Sequence, residues 1–170
     1  MGYSIGEKIV YPMHGAGIIS GIEQQEFLGE VKRYYLLQLS YGSMGIMVPV
    51  DNAEELGIRD IIDPSAIGAV LEYLKKPCHA SNTNWNKRHR ENLDKLRSGD
   101  IFEAAEVYKS LYIREFDKIL STGEKKLFNN AKQILYSELM LSAGYDAEQV
   151  DKMVRQAVEE GIKSNSDNLK

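Results

Sequence analysis

The sequence predicts an α+β protein in which a small, strongly bent β-sheet or barrel precedes a helical domain of about five helices. Residues 1–60 contain short β-type runs separated by glycines, whereas the later residues repeat apolar side chains at helical spacing. The period changes near residue 60. We therefore expect a sheet domain at 1–60, a helical domain at 61–163 and a frayed tail at 164–170.

The predicted strands are short and are bounded by glycine or proline. They cover residues 8–11, 16–22, 26–28, 31–39 and 45–48. Gly29 marks a hairpin between two of these runs. Pro49 ends the last run, which is typical of an edge strand because proline cannot donate to the ladder. Five such strands in so short a segment predict a bent, barrel-like sheet.

Start and stop signals divide the later residues into five helices. The residues that favour helix starts are Asp63, Thr83, Asp100, Ser121 and Asp146. The residues that favour helix ends are Pro77, Gly99, Gly144 and Gly161. Ile119 is predicted to lie on the apolar stripe of the third helix. We expect an interface between the two domains to involve the helix at 64–76.

Composition excludes several classes of protein. The single cysteine, Cys78, rules out an internal disulfide and suits a reducing cytoplasm. The first residues lack the basic and apolar regions of a signal peptide. No apolar run approaches the roughly 18 residues that span a bilayer. We therefore expect a cytoplasmic protein.

Residue types that carry catalysis are scattered. His14, His79 and His89 lie in different predicted elements, and none forms an HxxxH or HxH pair. Cys78 and His79 are adjacent, but two neighbouring ligands do not complete a tetrahedral metal site. The glycines of the HGAG run lack the following Lys-Ser/Thr of a phosphate loop. We expect no enzymatic activity, no metal and no cofactor.

The stretch at residues 81–100 differs most from the rest of the chain, because it contains the only tryptophan, Trp85, and much of the basic charge. Between residues 75 and 97 the net charge is +5, although the whole chain carries −4. The basic residues are Lys75, Lys76, Lys87, Arg88, Arg90, Lys95 and Arg97. An aromatic ring beside cations suits a nucleic-acid contact, since phosphates meet the charges and a base or sugar meets the ring.

Two interpretations of Trp85 follow from its spacing. It shares one helical side with Leu93 and Leu96, so it could be an ordinary core residue with the cations on a solvated face. Its position favours exposure, because it follows a polar run and its next turn offers only His89 and Asn92 instead of an apolar partner.

Three blocks of sequence resemble one known family. They read KIVYPMHGAGII near the start, IMVPVDNAEELGIRDI after the strands, and NWNKRHRENLDKLRSGD in the helical part. In this order they resemble the CarD/CdnL family of bacterial transcription regulators. The VYP-x-HG block at 10–15 also resembles the RNA-polymerase-interacting domain shared with the transcription-repair coupling factor.

The resemblance implies a Tudor-like sheet that docks on the β subunit of RNA polymerase and a helical domain that contacts promoter DNA at the upstream edge of the melted bubble. In the family, a tryptophan wedges into the minor groove and holds the open complex. The matching residue here is Trp85. Lys87, Arg88 and Arg90 would then lie on neighbouring phosphates.

The polymerase face implied by the resemblance comprises Gln25, Ile46, Met47, Val48 and Pro49. Some relatives place arginines at the positions that match Gln25 and Met47. Both positions are uncharged here. The contact would therefore depend on strand pairing and apolar packing along 45–49.

Other functions stay open at this point. A protein–protein adaptor with a buried Trp85 and no direct DNA contact is one alternative. An RNA-binding barrel is another, and its charge disfavours it, because residues 1–60 carry a net charge of −4 that repels phosphate.

Overall fold

A computed structural model describes residues 2–42, 44–77 and 84–168 of the chain. Within these residues an antiparallel sheet of five strands precedes five α-helices, which confirms the predicted α+β class. The strands are β1 (Lys8–Tyr11), β2 (Gly15–Phe27), β3 (Glu30–Leu39), β4 (Gly45–Pro49) and β5 (Arg59–Asp60). The helices are α1 (Ile67–Lys75), α2 (Trp85–Arg97), α3 (Ile101–Asp117), α4 (Thr122–Ala143) and α5 (Ala147–Asn168). A 3-10 turn at Pro64–Ala66 precedes α1.

The sheet has the strand order β4-β3-β2-β1-β5, so β4 is an edge strand, as its proline suggests. The two runs predicted at 16–22 and 26–28 are wrong as separate strands, because β2 is continuous from Gly15 to Phe27. A bulge between Ile19 and Gly21 shifts its register and explains why the alternation of side chains is interrupted there. Leu28 and Gly29, both with positive φ, make the two-residue turn into β3.

The fifth strand, β5, is one that the sequence pattern did not reveal. It has only two residues, and it pairs with Ile9 and Val10 of β1. A two-residue strand contains no alternation to detect. Its position in the sheet matters, because it holds Arg59 beside the helices.

Each half of the chain has its own apolar core. The sheet core is built from side chains on one face of the strands and the loop after β4: Ile9, Ile19, Tyr35, Leu37, Leu39, Val48, Ala53 and Ile58. The helical core lies between α1, α3, α4 and α5, with Leu74, Leu111, Leu135 and Val154 among its fully buried members. The sheet core therefore buries the inward face of β4 and leaves its outward face to solvent.

Most helix ends follow the predicted capping signals. Asp100 and Ser121 cap α3 and α4 with their side-chain oxygens, and Gly144 ends α4 in a left-handed conformation. The N-cap of α2 is Asn84, not Thr83, which lies outside the described residues. Ile119 lies beyond the end of α3 and is 91% exposed, so its predicted place on the buried stripe is wrong.

The predicted helix end at Gly161 is also wrong. Helix α5 continues through Gly161 to Asn168, so residues 164–168, expected in a frayed tail, have helical backbone. The glycine serves close packing instead of termination. A Cβ atom at this position would lie 2.6 Å from the carbonyl oxygen of Lys75, so the glycine lets α5 approach the end of α1.

The sheet and the helices are joined mainly by α4, whereas the sequence favoured the helix at 64–76. Glu138 of α4 is completely buried, and both of its carboxylate oxygens accept hydrogen bonds from the Arg59 guanidinium at 2.7 Å. The backbone N–H of Ile62 also donates to Glu138 at 2.8 Å. The buried carboxylate of Glu138 is therefore both paired and hydrogen-bonded.

A second set of bonds fastens β2 to the same helix. The Ser137 hydroxyl accepts a hydrogen bond from the Ala16 backbone N–H at 2.8 Å, and the Ser40 hydroxyl donates to the Ser137 carbonyl at 2.8 Å. Gly15 lies so close to α4 that a Cβ atom there would be 2.6 Å from the Ser137 hydroxyl oxygen. Gly15, the first glycine of the HGAG run, therefore permits close contact between β2 and α4.

A buried tyrosine pair adds rigidity to the helical core. The hydroxyls of Tyr108 and Tyr136 are 3.1 Å apart, and Tyr136 donates to Asp151 of α5 at 2.6 Å. Burial raises the pKa of Tyr108 to about 12. Burial and the hydrogen bond to the Asp151 carboxylate raise the pKa of Tyr136 above its usual value. Both hydroxyls therefore remain protonated donors at neutral pH.

Candidate functional site: the Trp85 surface and the sheet edge

Trp85 is the first residue of α2, and the cap of that helix fixes its backbone. The Asn84 side-chain oxygen accepts a hydrogen bond from the Lys87 backbone N–H at 2.8 Å. The tryptophan is 41% exposed. Of the two interpretations that its spacing allowed, the structure favours the exposed ring over the core residue.

One face of the indole is covered by His89, one helical turn further along α2. The two rings are stacked with centroids 4.7 Å apart and planes inclined by 16°. The sequence suggested no apolar partner for Trp85 in this turn. The structure shows that the ring of His89 stacks on the indole instead. Because His89 covers one face of the indole, the accessible part of the ring lies away from His89.

The start of α4 supports the ring from a second direction. The indole N–H donates a hydrogen bond to the Ser121 hydroxyl at 3.2 Å. At Gly123 an added Cβ atom would be 3.1 Å from Cζ2 of the indole. Trp85 is therefore held between its own helix and the first turn of α4.

The basic residues around Trp85 do not form one uniform patch. Lys87 and Arg90 are exposed on α2, two and five residues after Trp85. Lys75 is instead paired with Glu72 at 3.2 Å and Glu160 at 3.6 Å, and the hydrogen bond that it donates to Glu72 raises its pKa. Part of the basic charge of this stretch is thus already engaged in ion pairs within the protein.

Arg88 differs from its two basic neighbours on α2. Its side chain is only 15% exposed and lies 3.9 Å from the buried Glu124 of α4. Arg114 of α3 approaches the same carboxylate at 2.9 Å. The predicted phosphate contact by Arg88 is untested, but this geometry directs its guanidinium inward, where it links α2 to α3 and α4.

The edge strand β4 presents a second candidate surface. Met47 is 38% exposed and points away from the sheet core, and the Gln25 amide lies 3.7 Å from its sulfur. Val48, also predicted at this face, is completely buried in the sheet core, and Ile46 packs partly against that core. The side chain of Val48 is therefore not accessible to a partner, whereas that of Ile46 is partly accessible.

The described residues offer little to a catalytic or metal-binding interpretation. No group of three His, Cys, Asp or Glu side chains in that part of the chain could hold a metal ion. Burial lowers the pKa of His14, which stacks on Tyr11 with ring centroids 4.5 Å apart. Cys78 and His79 lie outside the described residues. Among the helices that the structure describes, none has the length and apolar character to cross a membrane.

Sequence reasoning did not identify the supports of Trp85. Ser121 was recognised only as a helix cap, and Gly123 and His89 were given no role. The sequence contains part of the signal. The STGE run at 121–124 marks a helix start, and the hydroxyl of a capping serine can accept a second hydrogen bond. Which distant side chain it would meet depends on tertiary packing.

Two protein-family models match the chain and define its class. The model described as "CarD-like/TRCF RID domain" matches residues 3–62, and the model described as "CarD, C-terminal domain" matches residues 69–155. The class is thus that of proteins combining a Tudor-like sheet with a CarD-type helical part.

A curated relative agrees with this class. The chain is 36% identical over 148 residues to "Putative transcription factor YdeB" of Bacillus subtilis (strain 168), which covers 87% of this chain and 97% of the relative. This protein belongs to the CarD-like family of transcription regulators. The predicted resemblance is confirmed, and the family implies an interaction with RNA polymerase.

Proposed function

We propose that the protein docks on the RNA polymerase β subunit through its sheet and stabilises the promoter open complex with Trp85 at the upstream edge of the bubble. The observation that carries the proposal is the half-exposed indole at the start of α2, stacked on one side by His89, on a helix that also exposes Lys87 and Arg90. Its place of action is the cytoplasm, with the polymerase.

The ring suits distorted DNA because it combines flat apolar surface with a fixed orientation. Apolar wedges that enter the minor groove stabilise an unstacked base step, and stacking on one base contributes about 1–3 kcal/mol. That amount shifts an isomerisation roughly ten-fold or more but does not bind DNA tightly by itself. Lys87 and Arg90 would contribute phosphate contacts that position the ring.

The outward face of the sheet suits a protein partner better than DNA. Residues 1–60 are acidic overall, and β4 exposes its backbone edge next to Met47. An exposed edge can pair with a strand of another protein, and apolar side chains such as Met47 then add contact area. Docking there would raise the effective concentration of Trp85 near the promoter.

The alternative, a protein–protein adaptor, requires a buried Trp85, and this side chain is exposed. A core tryptophan would be enclosed by apolar side chains, whereas Trp85 retains 41% of its accessible surface and contacts a histidine, a serine and a glycine. The DNA-contacting function is therefore the one that the site supports best.

The experiment that tests the proposal is the lifetime of open complexes formed by the cognate polymerase with and without the protein. Trp85→Ala should remove most of the added lifetime, about ten-fold, because no neighbouring apolar side chain replaces the ring. Its thermal unfolding should change little, since a half-exposed ring leaves no large cavity.

Tyr145 provides a matched control at the opposite end of α4. It is an exposed aromatic residue just beyond Gly144, and Tyr145→Ala should leave the lifetime unchanged. If Trp85→Ala is folded and supports wild-type lifetimes, the wedge is wrong. If it unfolds, the ring is structural, and Trp85→Phe then decides whether a smaller ring restores both properties.

A further inference from the structure

The first turn of α4 contacts Trp85 through Ser121 and Gly123. We infer that Ser121 and Gly123 are positioning residues that set the orientation of the indole before DNA is bound, with His89 as the opposite wall. The inference rests on the proposed function for its consequence. The orientation itself is a property of the free protein.

The Ser121 hydroxyl has a complete set of hydrogen bonds that includes the indole. It accepts from the indole N–H at 3.2 Å and from the Glu124 backbone N–H at 3.2 Å, and it donates to the Glu124 carboxylate at 3.2 Å. A hydroxyl has one proton and two acceptor lone pairs, so this arrangement uses all of them. The cap of α4 and the orientation of Trp85 therefore depend on the same atom.

Gly123 leaves the space that the ring occupies. A Cβ atom would lie 3.1 Å from Cζ2 and 3.7 Å from Cη2 of Trp85, and 3.6 Å from Cε1 of His89. Gly123 has ordinary helical backbone and shows no positive φ. Glycine is the weakest helix former after proline, so helix formation does not explain its presence here. Clearance for the two stacked rings does.

The first turn of α4 is held by ion pairs of the buried Glu124. Glu124 is 5% exposed and lies between Arg114 of α3 and Arg88 of α2, at 2.9 Å and 3.9 Å. Three helices thus converge on the turn that holds the ring. A ring whose rotamer is already restricted loses less conformational entropy on binding, which is how preorganisation increases affinity.

The chain offers a closely matched control for Gly123. Gly68 is the second residue of α1, as Gly123 is of α4, and a Cβ atom at Gly68 would meet nothing within 4 Å among the described residues. Alanine should favour the helix at both positions, but only at Gly123 should it displace the indole. Gly68→Ala therefore separates helix propensity from ring position.

The first readout is the fluorescence of the free protein, which reports Trp85 alone because the chain has a single tryptophan. Gly123→Ala and Ser121→Ala should change emission, anisotropy and acrylamide quenching, whereas Gly68→Ala should match wild type. Ser121→Thr retains a hydroxyl and should restore the wild-type signal. Asp146→Ala removes the cap of α5 and controls for general loss of a cap.

The second readout is open-complex lifetime with the cognate polymerase. Gly123→Ala and Ser121→Ala should shorten it about three- to ten-fold, within the range of one base stack. In a Trp85→Ala background they should cause no further loss, because they act through the ring. Gly68→Ala and Asp146→Ala should retain the wild-type lifetime.

Two results would separate this inference from the proposed function. If Gly123→Ala and Ser121→Ala match Gly68→Ala in fluorescence, the positioning role is wrong, whatever Trp85 does. If fluorescence changes but Trp85→Ala has no effect on lifetime, the positioning role holds and the proposed function fails.

Discussion

Helix α4 contains two buried glutamates, one near each end, and their surroundings differ in quality. Glu138 accepts two hydrogen bonds from Arg59 at 2.7 Å and one from the Ile62 backbone at 2.8 Å. Glu124 has Arg114 at 2.9 Å and Arg88 at 3.9 Å, but within the described residues its Oε2 has no hydrogen bond of good geometry. The first site is completely satisfied, and the second is satisfied only in part.

The two ends of α4 therefore differ in how completely their buried carboxylates are hydrogen-bonded. Completely satisfied buried polar networks make a packing arrangement unique, whereas partly satisfied ones allow adjustment. The sheet end of α4 therefore acts as the fixed anchor. The ring end of α4 is held by fewer well-formed hydrogen bonds.

The largest expected effect compares the two glutamates directly. Glu138→Gln should lower the free energy of unfolding by about 3 kcal/mol, because it leaves Arg59 without its buried counter-charge. Glu124→Gln should lower it by about 1 kcal/mol, since fewer well-formed bonds are lost. Urea unfolding measures both. Equal losses would contradict the difference between the two sites.

A second prediction concerns the partner at the sheet end. Met47→Glu should weaken binding to the isolated polymerase β subunit about ten-fold, because a carboxylate on an apolar docking face must be desolvated. The variant should remain folded, since Met47 points away from the sheet core. Binding is measured by titration of the purified subunit.

Ile5→Glu serves as the control for this prediction. Ile5 is an exposed apolar residue that precedes β1, and β3 and β2 separate β1 from β4 in the sheet. Its replacement should leave binding unchanged. A folded Met47→Glu protein with wild-type affinity would show that β4 is not the docking edge.

The smallest expected effect distinguishes two neighbouring basic residues at the ring end. Lys87→Ala should reduce open-complex lifetime about two- to three-fold at low salt and less at high salt, because an exposed cation acts on phosphate. Arg88→Ala should instead lower the melting temperature, because its side chain reaches Glu124. Lifetimes across a salt series and thermal unfolding test both. Identical salt dependence and stability in the two variants would overturn this distinction.

Local patterns predicted most of the fold. Capping signals placed Asp100, Ser121 and Gly144 at helix ends, and the proline at the end of β4 indicated an edge strand. These features depend on residues within one turn or one strand, so the sequence contains them directly. The exposure of Trp85 was predictable in the same way, from the polar residues before it.

Long-range contacts were not predictable from such patterns. Arg59 and Glu138 are 79 positions apart, and no local pattern links them. Arg88 reads as one of several surface cations until α4 places Glu124 beneath it. Gly161 reads as a helix end until α1 is packed against it. In each case the partner is determined by tertiary packing, not by the neighbouring sequence.

The continuity of α4 also fixes a length. Glu124 and Glu138 are fourteen positions apart on one uninterrupted helix, which corresponds to about 21 Å at 1.5 Å per residue. An α-helix of this kind is stiff along its axis, so the separation between sheet anchor and indole varies little. Under the proposed function, the protein would act as a molecular ruler. The polymerase would then determine where the ring meets the promoter by distance, with little dependence on base sequence.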